Sequence, residues 1–172
     1  ATTVALYNTQ PNALASSTGN LNCNTPQLEL SGSGSSMGPI FSYLWTTTNG
    51  HFVSGETTLN PIIDVAGTYN LLVTNTENGC SNTASASVGQ SPPVTSMITD
   101  QTNITCNGAS DGNATAVGSG GNGTFTYTWN NGVNASIITN VPAGLYIVTV
   151  SDGENCTSST SVNVTQPDVL TC

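Results

Sequence analysis

The sequence predicts an all-β chain: two tandem antiparallel β-sandwiches, each closed by one disulfide. Three observations predict it. Short apolar runs alternate with a period of two, as in Tyr69, Leu71 and Val73 or Tyr146, Val148 and Val150, which turns one face of a strand toward a core. Turn dipeptides punctuate the chain at Asn49-Gly50, Asn78-Gly79, Asn107-Gly108, Asn122-Gly123, Asn131-Gly132 and Asp152-Gly153, as hairpins require. The chain also repeats itself. No window carries a 3.6-residue period and helix formers are scarce, so strands are left to build the core.

The repeat is read from matched anchors. Tyr43-Leu44-Trp45 corresponds to Tyr127-Thr128-Trp129, and Ala66-Gly67-Thr68-Tyr69 to Ala143-Gly144-Leu145-Tyr146. Each Trp is followed by an Asn-Gly turn and preceded, 22 or 23 residues earlier, by Cys23 or Cys106. Each Tyr leads into an apolar strand and then Cys80 or Cys156. Shared order and spacing mark a tandem duplication. The expected domains are 1–90 and 91–167. Residues 168–172 open a further repeat or form an inter-subunit connector, because Leu170-Thr171-Cys172 echoes Ile104-Thr105-Cys106 and Leu21-Asn22-Cys23.

Taken in order, the elements justify themselves locally. Residues 2–7 alternate, with Val4 and Leu6 on one face and Thr3, Ala5 and Tyr7 on the other. They read either as the first strand of the first sandwich or as a strand donated to a neighbouring subunit. Tyr43-Leu44-Trp45 is a central strand, and residues 68–74 alternate behind the Ala66-Gly67 corner. Between the units, Gly89 to Val94 with Pro92-Pro93 predicts a short stiff connection. Residues 124–128 alternate Thr with Phe125 and Tyr127 and lead to Trp129, a half-buried strand. Tyr146 to Val150 repeats the strand after the corner.

A Trp in a central strand, with a Tyr after an Ala-Gly corner, resembles the immunoglobulin-like pattern. The cysteines depart from it. In antibody domains the second Cys follows the corner Tyr by two residues, whereas Cys80 follows Tyr69 by eleven and Cys156 follows Tyr146 by ten. The bond is therefore expected to tie strand ends. Pairing Cys23 with Cys80 and Cys106 with Cys156 closes loops of 57 and 50 residues, each worth about 4 kcal/mol in the chain-entropy model. Cys172 is left for an inter-repeat or inter-subunit disulfide. Five cysteines with no C-x-x-C pair, and a single histidine, His51, far from any of them in sequence, disfavour zinc and favour an oxidising compartment.

Composition excludes several functions. The 172 residues include no Lys or Arg, nine acids and one His, for a formal charge of −9. Nothing neutralises phosphates, so nucleic acid is excluded, as are basic membrane-surface binding and lysine chemistry. No apolar run approaches the length of a membrane span. No basic n-region precedes an apolar stretch at Ala1, so any signal peptide is expected to be already removed. Trypsin has no site.

Candidate sites are few. Asp111 and Asp152 supply turn oxygens for calcium, yet no stretch has the acid density of a calcium loop; as turn residues they cap their own backbone. Otherwise no metal or cofactor is expected. Sequons begin at Asn103, Asn113, Asn122, Asn134, Asn155 and Asn163, permitting N-glycosylation where the machinery exists. His51 with Ser42 or Ser54 and Asp64 sketches a triad that no nucleophile-elbow motif supports, so the chain is read as non-enzymatic. Trp45, Trp129 and the tyrosines form either a sugar-stacking platform or, by their alternation, the core.

The second unit, residues 105–167, resembles the gliding-motility adhesin (SprB-type) repeat of Bacteroidota surface proteins. The matching residues are Cys106-Asn107-Gly108, Asp111-Gly112, Gly120-Gly121, Tyr127-Thr128-Trp129, Asn131-Gly132, Val141-Pro142-Ala143-Gly144, Tyr146, Asp152, Cys156 and Gln166-Pro167. The first unit is similar to polycystic-kidney-disease-like and immunoglobulin-like modules through Tyr43-Leu44-Trp45, Ala66-Gly67-Thr68-Tyr69 and Asn78-Gly79-Cys80. It lacks the Cys-Asn-Gly…Asp-Gly opening, and no type IX sorting domain is visible. The resemblance implies an extracellular, type IX-secreted surface array of sandwiches used as adhesin or filament, in adhesion, gliding or biofilm. Its partners are expected to be copies of itself or adjacent repeats, with surface glycans or abiotic surfaces as targets. The alternative expectation is a carbohydrate-binding module pair of a secreted protein.

Overall fold

The computed structural model describes residues 9–169. Among them every regular element is a strand. The chain divides into two compact units. The first comprises the residues up to Leu21 and Thr25–Gln90; the second comprises Asn22–Asn24 and the residues from Ser91 on.

In the first unit, β1 (Ser16–Ser17), β2 (Leu28–Ser31), β5 (Ile62–Val65) and β4 (His51–Ser54) form one antiparallel sheet in the order β1-β2-β5-β4. β3 (Phe41–Thr47), β6 (Gly67–Asn75) and β7 (Ser81–Val88) form the other, in the order β3-β6-β7. This four-plus-three arrangement is the constant-type immunoglobulin layout. The alternation read from the sequence is the burial observed: Tyr69, Leu71 and Val73 have no exposed surface and pack with Leu30, Trp45 and Ile63.

In the second unit, β8 (Thr95–Thr102), β9 (Gly112–Ser119) and β11 (Ile137–Val141) form one sheet, with β9 central. β10 (Phe125–Trp129), β12 (Gly144–Asp152) and β13 (Thr157–Val164) form the other, with β12 central. No described strand corresponds to β4; residues 130–136 carry the chain from β10 to β11 without one. Trp129, Ile138, Tyr146, Val148, Val150 and Val164 fill the core.

The two units share the register around their tryptophans. Trp45 lies opposite Leu71 and Trp129 opposite Val148, in each case two residues beyond the corner tyrosine. Those are the positions that carry a cysteine in antibody domains, and here they are buried aliphatics. Each Trp is almost wholly buried and donates its indole N–H to a carbonyl, Thr58 O at 3.0 Å or Ala135 O at 2.8 Å. A buried indole left without an acceptor is costly.

Each corner Tyr donates its hydroxyl four residues upstream, Tyr69 to the Val65 carbonyl and Tyr146 to Pro142 O at 2.8 Å, the tyrosine corner of immunoglobulin-like folds. Burial pushes the Tyr69 phenol up, with Asp64 adding to the rise and the hydrogen bond from the His51 backbone opposing it. The two Asn-Gly turns serve different ends. Gly132 sits at φ +86°, a conformation glycine adopts without strain. Gly50 instead lies against the Tyr69 ring, where any Cβ collides.

Two outcomes follow for stability. Tyr146→Phe leaves the Pro142 carbonyl without its donor and is expected to lower unfolding stability by about 1–3 kcal/mol, read by denaturant melts. Tyr69 has its folded-state pKa above the unfolded value, so its contribution is complete below the ordinary tyrosine pKa and is lost as pH rises through the folded one. Ultraviolet titration is expected to show a tyrosinate forming above the ordinary tyrosine pKa, and Tyr69→Phe is expected to remove that late step.

Candidate functional site

The chemistry-bearing residues gather in the connections that hold cysteines. Asn22–Asn24 lie in the β1–β2 connection but cluster with the second unit. There Cys23 bonds Cys156, with Cα atoms 5.7 Å apart across 133 residues of sequence. The expected pairs Cys23–Cys80 and Cys106–Cys156 are therefore corrected. Both pairings place the bond at strand ends, and cysteine spacing does not distinguish them; the three-residue excursion at Asn22–Asn24 decides between them.

The bond is framed by amides and one glutamate. Asn22 Nδ2 donates to Glu154 Oε2 at 2.9 Å and Asn24 Nδ2 donates to the Glu154 carbonyl. The Asn24 N–H closes an Asx turn onto Asn22 Oδ1 at 2.9 Å, and Ser91 Oγ reaches Glu154 Oε2 at 3.5 Å. Beneath them Asp152 is buried. Its Oδ1 accepts the N–H groups of Glu154 at 2.9 Å and Cys156 at 2.8 Å, and its Oδ2 accepts that of Asn122 at 3.2 Å. With no lysine or arginine in the chain, backbone N–H dipoles compensate this carboxylate.

Asp152, Glu154 and Cys156 bring ligand atoms within 4.8 Å of one another. The Cys156 sulfur is in the disulfide, so it supplies no thiolate, and both Asp152 oxygens are engaged. The other calcium candidate, Asp111, is equally occupied. It accepts the Thr105 hydroxyl at 2.6 Å and the Thr105 N–H at 3.1 Å. Those two bonds, the hydroxyl first, hold its carboxyl below the usual carboxylate range.

Asp111 thereby shapes the connection that carries Cys106. Around it Ala109 N–H donates to Cys106 O at 3.0 Å, Gly108 N–H to Gln166 Oε1 at 3.2 Å, and Asn107 Nδ2 to Pro167 O at 3.0 Å. The separated sequence elements Cys106-Asn107-Gly108, Asp111 and Gln166-Pro167 are thus one local structure. Cys106 is exposed and in no disulfide among the described residues.

The remaining candidates divide clearly. His51 Nδ1 pairs with Asp64 Oδ1 at 2.7 Å on the surface. Neither Ser42 nor Ser54 hydrogen-bonds the ring among the described residues. Trp45, Trp129, Tyr69 and Tyr146 are buried, while Phe41, Tyr43, Phe52, Phe125 and Tyr127 are partly buried. Among the described residues no aromatic is exposed. The sequon residues Asn103, Asn122, Asn134, Asn155 and Asn163 are exposed and Asn113 is half-buried. Thr3, Val4, Ala5, Leu6 and Tyr7, and Cys172, lie outside the described residues. No helix among those described is long and apolar enough to cross a membrane.

Sequence reasoning missed Asn22 and Asn24, and it offered Glu154 only as a turn oxygen beside Asp152, not as their acceptor. The available signal was the pairing of Glu-Asn-Gly-Cys at 77–80 with Glu-Asn-Cys at 154–156, together with Asn beside both earlier cysteines.

Comparison with known proteins agrees with this geometry. The SprB repeat family model matches residues 98–134, from within β8 to just beyond β10. No curated protein matches the chain. Among solved structures, the C-terminal 282-residue fragment of intimin, solved with the intimin-binding domain of its translocated receptor, is similar at a TM-score of 0.50 and 15% identity, covering 91% of this chain and 63% of that one. The I67–I69 I-band fragment of titin is similar at a TM-score of 0.50 and 12% identity, covering 89% and 63%. The chain spans less than two-thirds of these neighbours. At such identities they show the fold, which is immunoglobulin-like.

Two measurements check the site. Cys23→Ser is expected to destabilise the second unit by up to about 5 kcal/mol, the chain-entropy value for a loop of this length, read by denaturant melts against the oxidised wild type. Carbon-detected NMR titration is expected to place the Asp111 midpoint below the usual carboxylate range. Its stabilising effect is present above the unfolded carboxylate pKa and lost as pH falls through the lower folded value; Thr105→Val removes the hydroxyl bond and should move the midpoint back toward the ordinary range, the backbone N–H bond keeping part of the lowering.

Proposed function

We propose that this chain is a non-enzymatic structural and adhesive repeat unit of an extracellular bacterial surface fibre. The observation that carries the reading is the SprB repeat match at residues 98–134, lying in one of two consecutive immunoglobulin-like units. Chemistry points the same way. Disulfide-bonded cysteines suit an oxidising exterior, the lack of Lys and Arg leaves nothing for trypsin-like proteases, and neither candidate serine hydrogen-bonds His51 of the His51–Asp64 pair among the described residues. Type IX secretion by a member of the Bacteroidota, and use in gliding or biofilm, are what the SprB likeness adds. The carbohydrate-binding reading is not favoured, because no described aromatic is exposed to stack on a sugar ring. N-glycans at the six sequons, and a strand donated by residues 3–7, belong to this proposal as features of a surface polymer.

The test is immunogold labelling of intact source cells with antibody to the second unit, with the denatured, reduced and deglycosylated polypeptide mass measured in parallel. Label on surface fibres is expected. A mass near 17.5 kDa marks a subunit, and one of hundreds of kilodaltons marks a period of a giant adhesin. Label confined to the cytoplasm overturns the proposal.

A further inference from the structure

The two units match hydrogen bond by hydrogen bond, which locates what the second one lacks. Leu21 N–H donates to Gly89 O at 2.9 Å as Ile104 N–H donates to Thr165 O at 3.1 Å. Asn75 N–H donates to Cys80 O at 2.8 Å as Asp152 N–H donates to Cys156 O at 3.0 Å. Gly32 N–H to Leu59 O and Ala116 N–H to Ser136 O form a third pair, both at 2.8 Å. The fourth pair closes loops of unequal length. Trp45 N–H reaches Glu56 O at 2.7 Å, eleven residues on, and Trp129 N–H reaches Val133 O at 2.9 Å, four residues on. The seven-residue difference is the stretch that builds β4 in the first unit.

In the first unit β4 covers part of the core. Phe52 lies opposite Ile63, its ring meets Tyr69 edge-on with centroids 5.2 Å apart, and both Ile63 and Tyr69 are fully buried. Their counterparts are Val141, opposite Gly112 as Ile63 is opposite Leu28, and the corner residue Tyr146. With no described strand beside them, these keep 5% and 7% of their surface exposed. The backbone is open there too. Ala116 N–H meets Ser136 O, so alternation along the ladder turns Ile138 toward β9 and leaves the N–H and C=O of Ile137 and Thr139 on the free edge of β11. No charged side chain of β11 guards that edge.

We propose that residues 3–7 of a second copy of this chain dock along β11 of the second unit, in the place that β4 holds in the first. The inference rests on the fibre reading above and names the acceptor within it. The length fits: residues 1–8 precede the described chain, against a gap of seven. The first-strand place of their own sandwich is already filled by residues 10–17. Pro11 and Ala13 are buried there, Gln10 Nε2 donates to Ser81 O and Asn82 Nδ2 to Pro11 O along β7, both at 3.0 Å, and β1 pairs with β2. The added strand runs antiparallel to β11, as β4 runs to β5. It turns Val4 and Leu6 onto Val141 and Tyr146 and gives its backbone groups to Ile137 and Thr139. Ala5 and Tyr7 then lie on the outer face beside Ile137, which is 48% exposed. The donor precedes the first unit and the acceptor belongs to the second, so each copy gives one strand and takes one, the head-to-tail pattern of an open polymer.

Hydrogen exchange of the full chain, read by mass spectrometry over a concentration series, is expected to show residues 137–139 becoming protected as oligomers grow in sedimentation. A full chain carrying Val4→Asp with Leu6→Asp should stay monomeric and leave residues 137–139 exchanging freely. Digestion at acidic residues should still yield its linked Cys23–Cys156 peptide, which shows that it has folded. A synthetic peptide of residues 1–8 added to that variant should bind one per chain and restore the protection. Oligomers of the double variant, protection confined to another strand edge, a folded variant that does not bind the peptide, or no growth of folded wild type overturns the proposal. So does protection of residues 137–139 in a monomer, where a chain fills its own edge. None of these outcomes alters the surface labelling, which separates failure of this contact from failure of the fibre reading.

Discussion

No carboxylate in this chain has a side-chain cation to meet except through His51, and the acidic residues are placed accordingly. Asp152, only 4% exposed, is surrounded by three backbone N–H groups. Asp111 is met by the N–H and hydroxyl of Thr105. A partial positive charge on an amide hydrogen is weaker than an ammonium, but it is fixed by the backbone and costs no side-chain entropy to hold. Such donors are available where the chain turns and its N–H groups are not in a ladder. The acids that shape local structure therefore sit in turns and connections, beside the cysteines those turns carry. No buried side-chain polar atom among the described residues lacks a partner, as this mode of neutralisation demands.

The same constraint explains the outward faces. With 5% charged residues, solubility falls to hydroxyls and amides, which pair across strands: Thr149 with Ser159 at 3.0 Å, Thr95 with Ser119 at 2.7 Å, and Ser85 with Asn70 at 2.7 Å. A neutral polar surface of this kind repels other chains weakly. Sheet edges also lack the lysine that commonly blocks strand pairing. Both properties are hazards in a dispersed protein and are compatible with a subunit that has to lie against copies of itself.

The fold was legible because strand burial has a period of two and the two units repeat it. Tyr69, Leu71 and Val73 could be placed on one face from sequence, as could Tyr146, Val148 and Val150; Trp45 and Trp129, expected in central strands, are in the core but on β3 and β10, which lie at the edges of their three-stranded sheets. The disulfide was not legible. Cys23 and Cys106 stand at matching positions, as do Cys80 and Cys156, so pairing within a repeat and pairing across repeats satisfy the same spacing. Loop-closure entropy varies only logarithmically with length and separates the two by less than about 1 kcal/mol. What decides is where three residues, Asn22–Asn24, lie in space. The roles of Asp111 and Asp152 were half-legible. As turn residues they were expected to cap nearby backbone, but Asn122, far from Asp152 in sequence, is brought to it only by the fold.

The two units differ where difference is tolerated and agree where it is not. The second unit has no described counterpart of β4, an edge strand held by one ladder to β5, and its turn before the last strand is a residue shorter than the one ending at Cys80. Yet the hydrogen bonds that place the cysteines keep their register in both units, Leu21 with Ile104 and Asn75 with Asp152. A disulfide forms only when the Cα atoms approach to about 4.4–6.8 Å, and a slip of one residue along a strand moves a Cα by about 3.3 Å. An edge strand can be lost at the expense of one ladder, whereas a cysteine displaced by one position loses its bond.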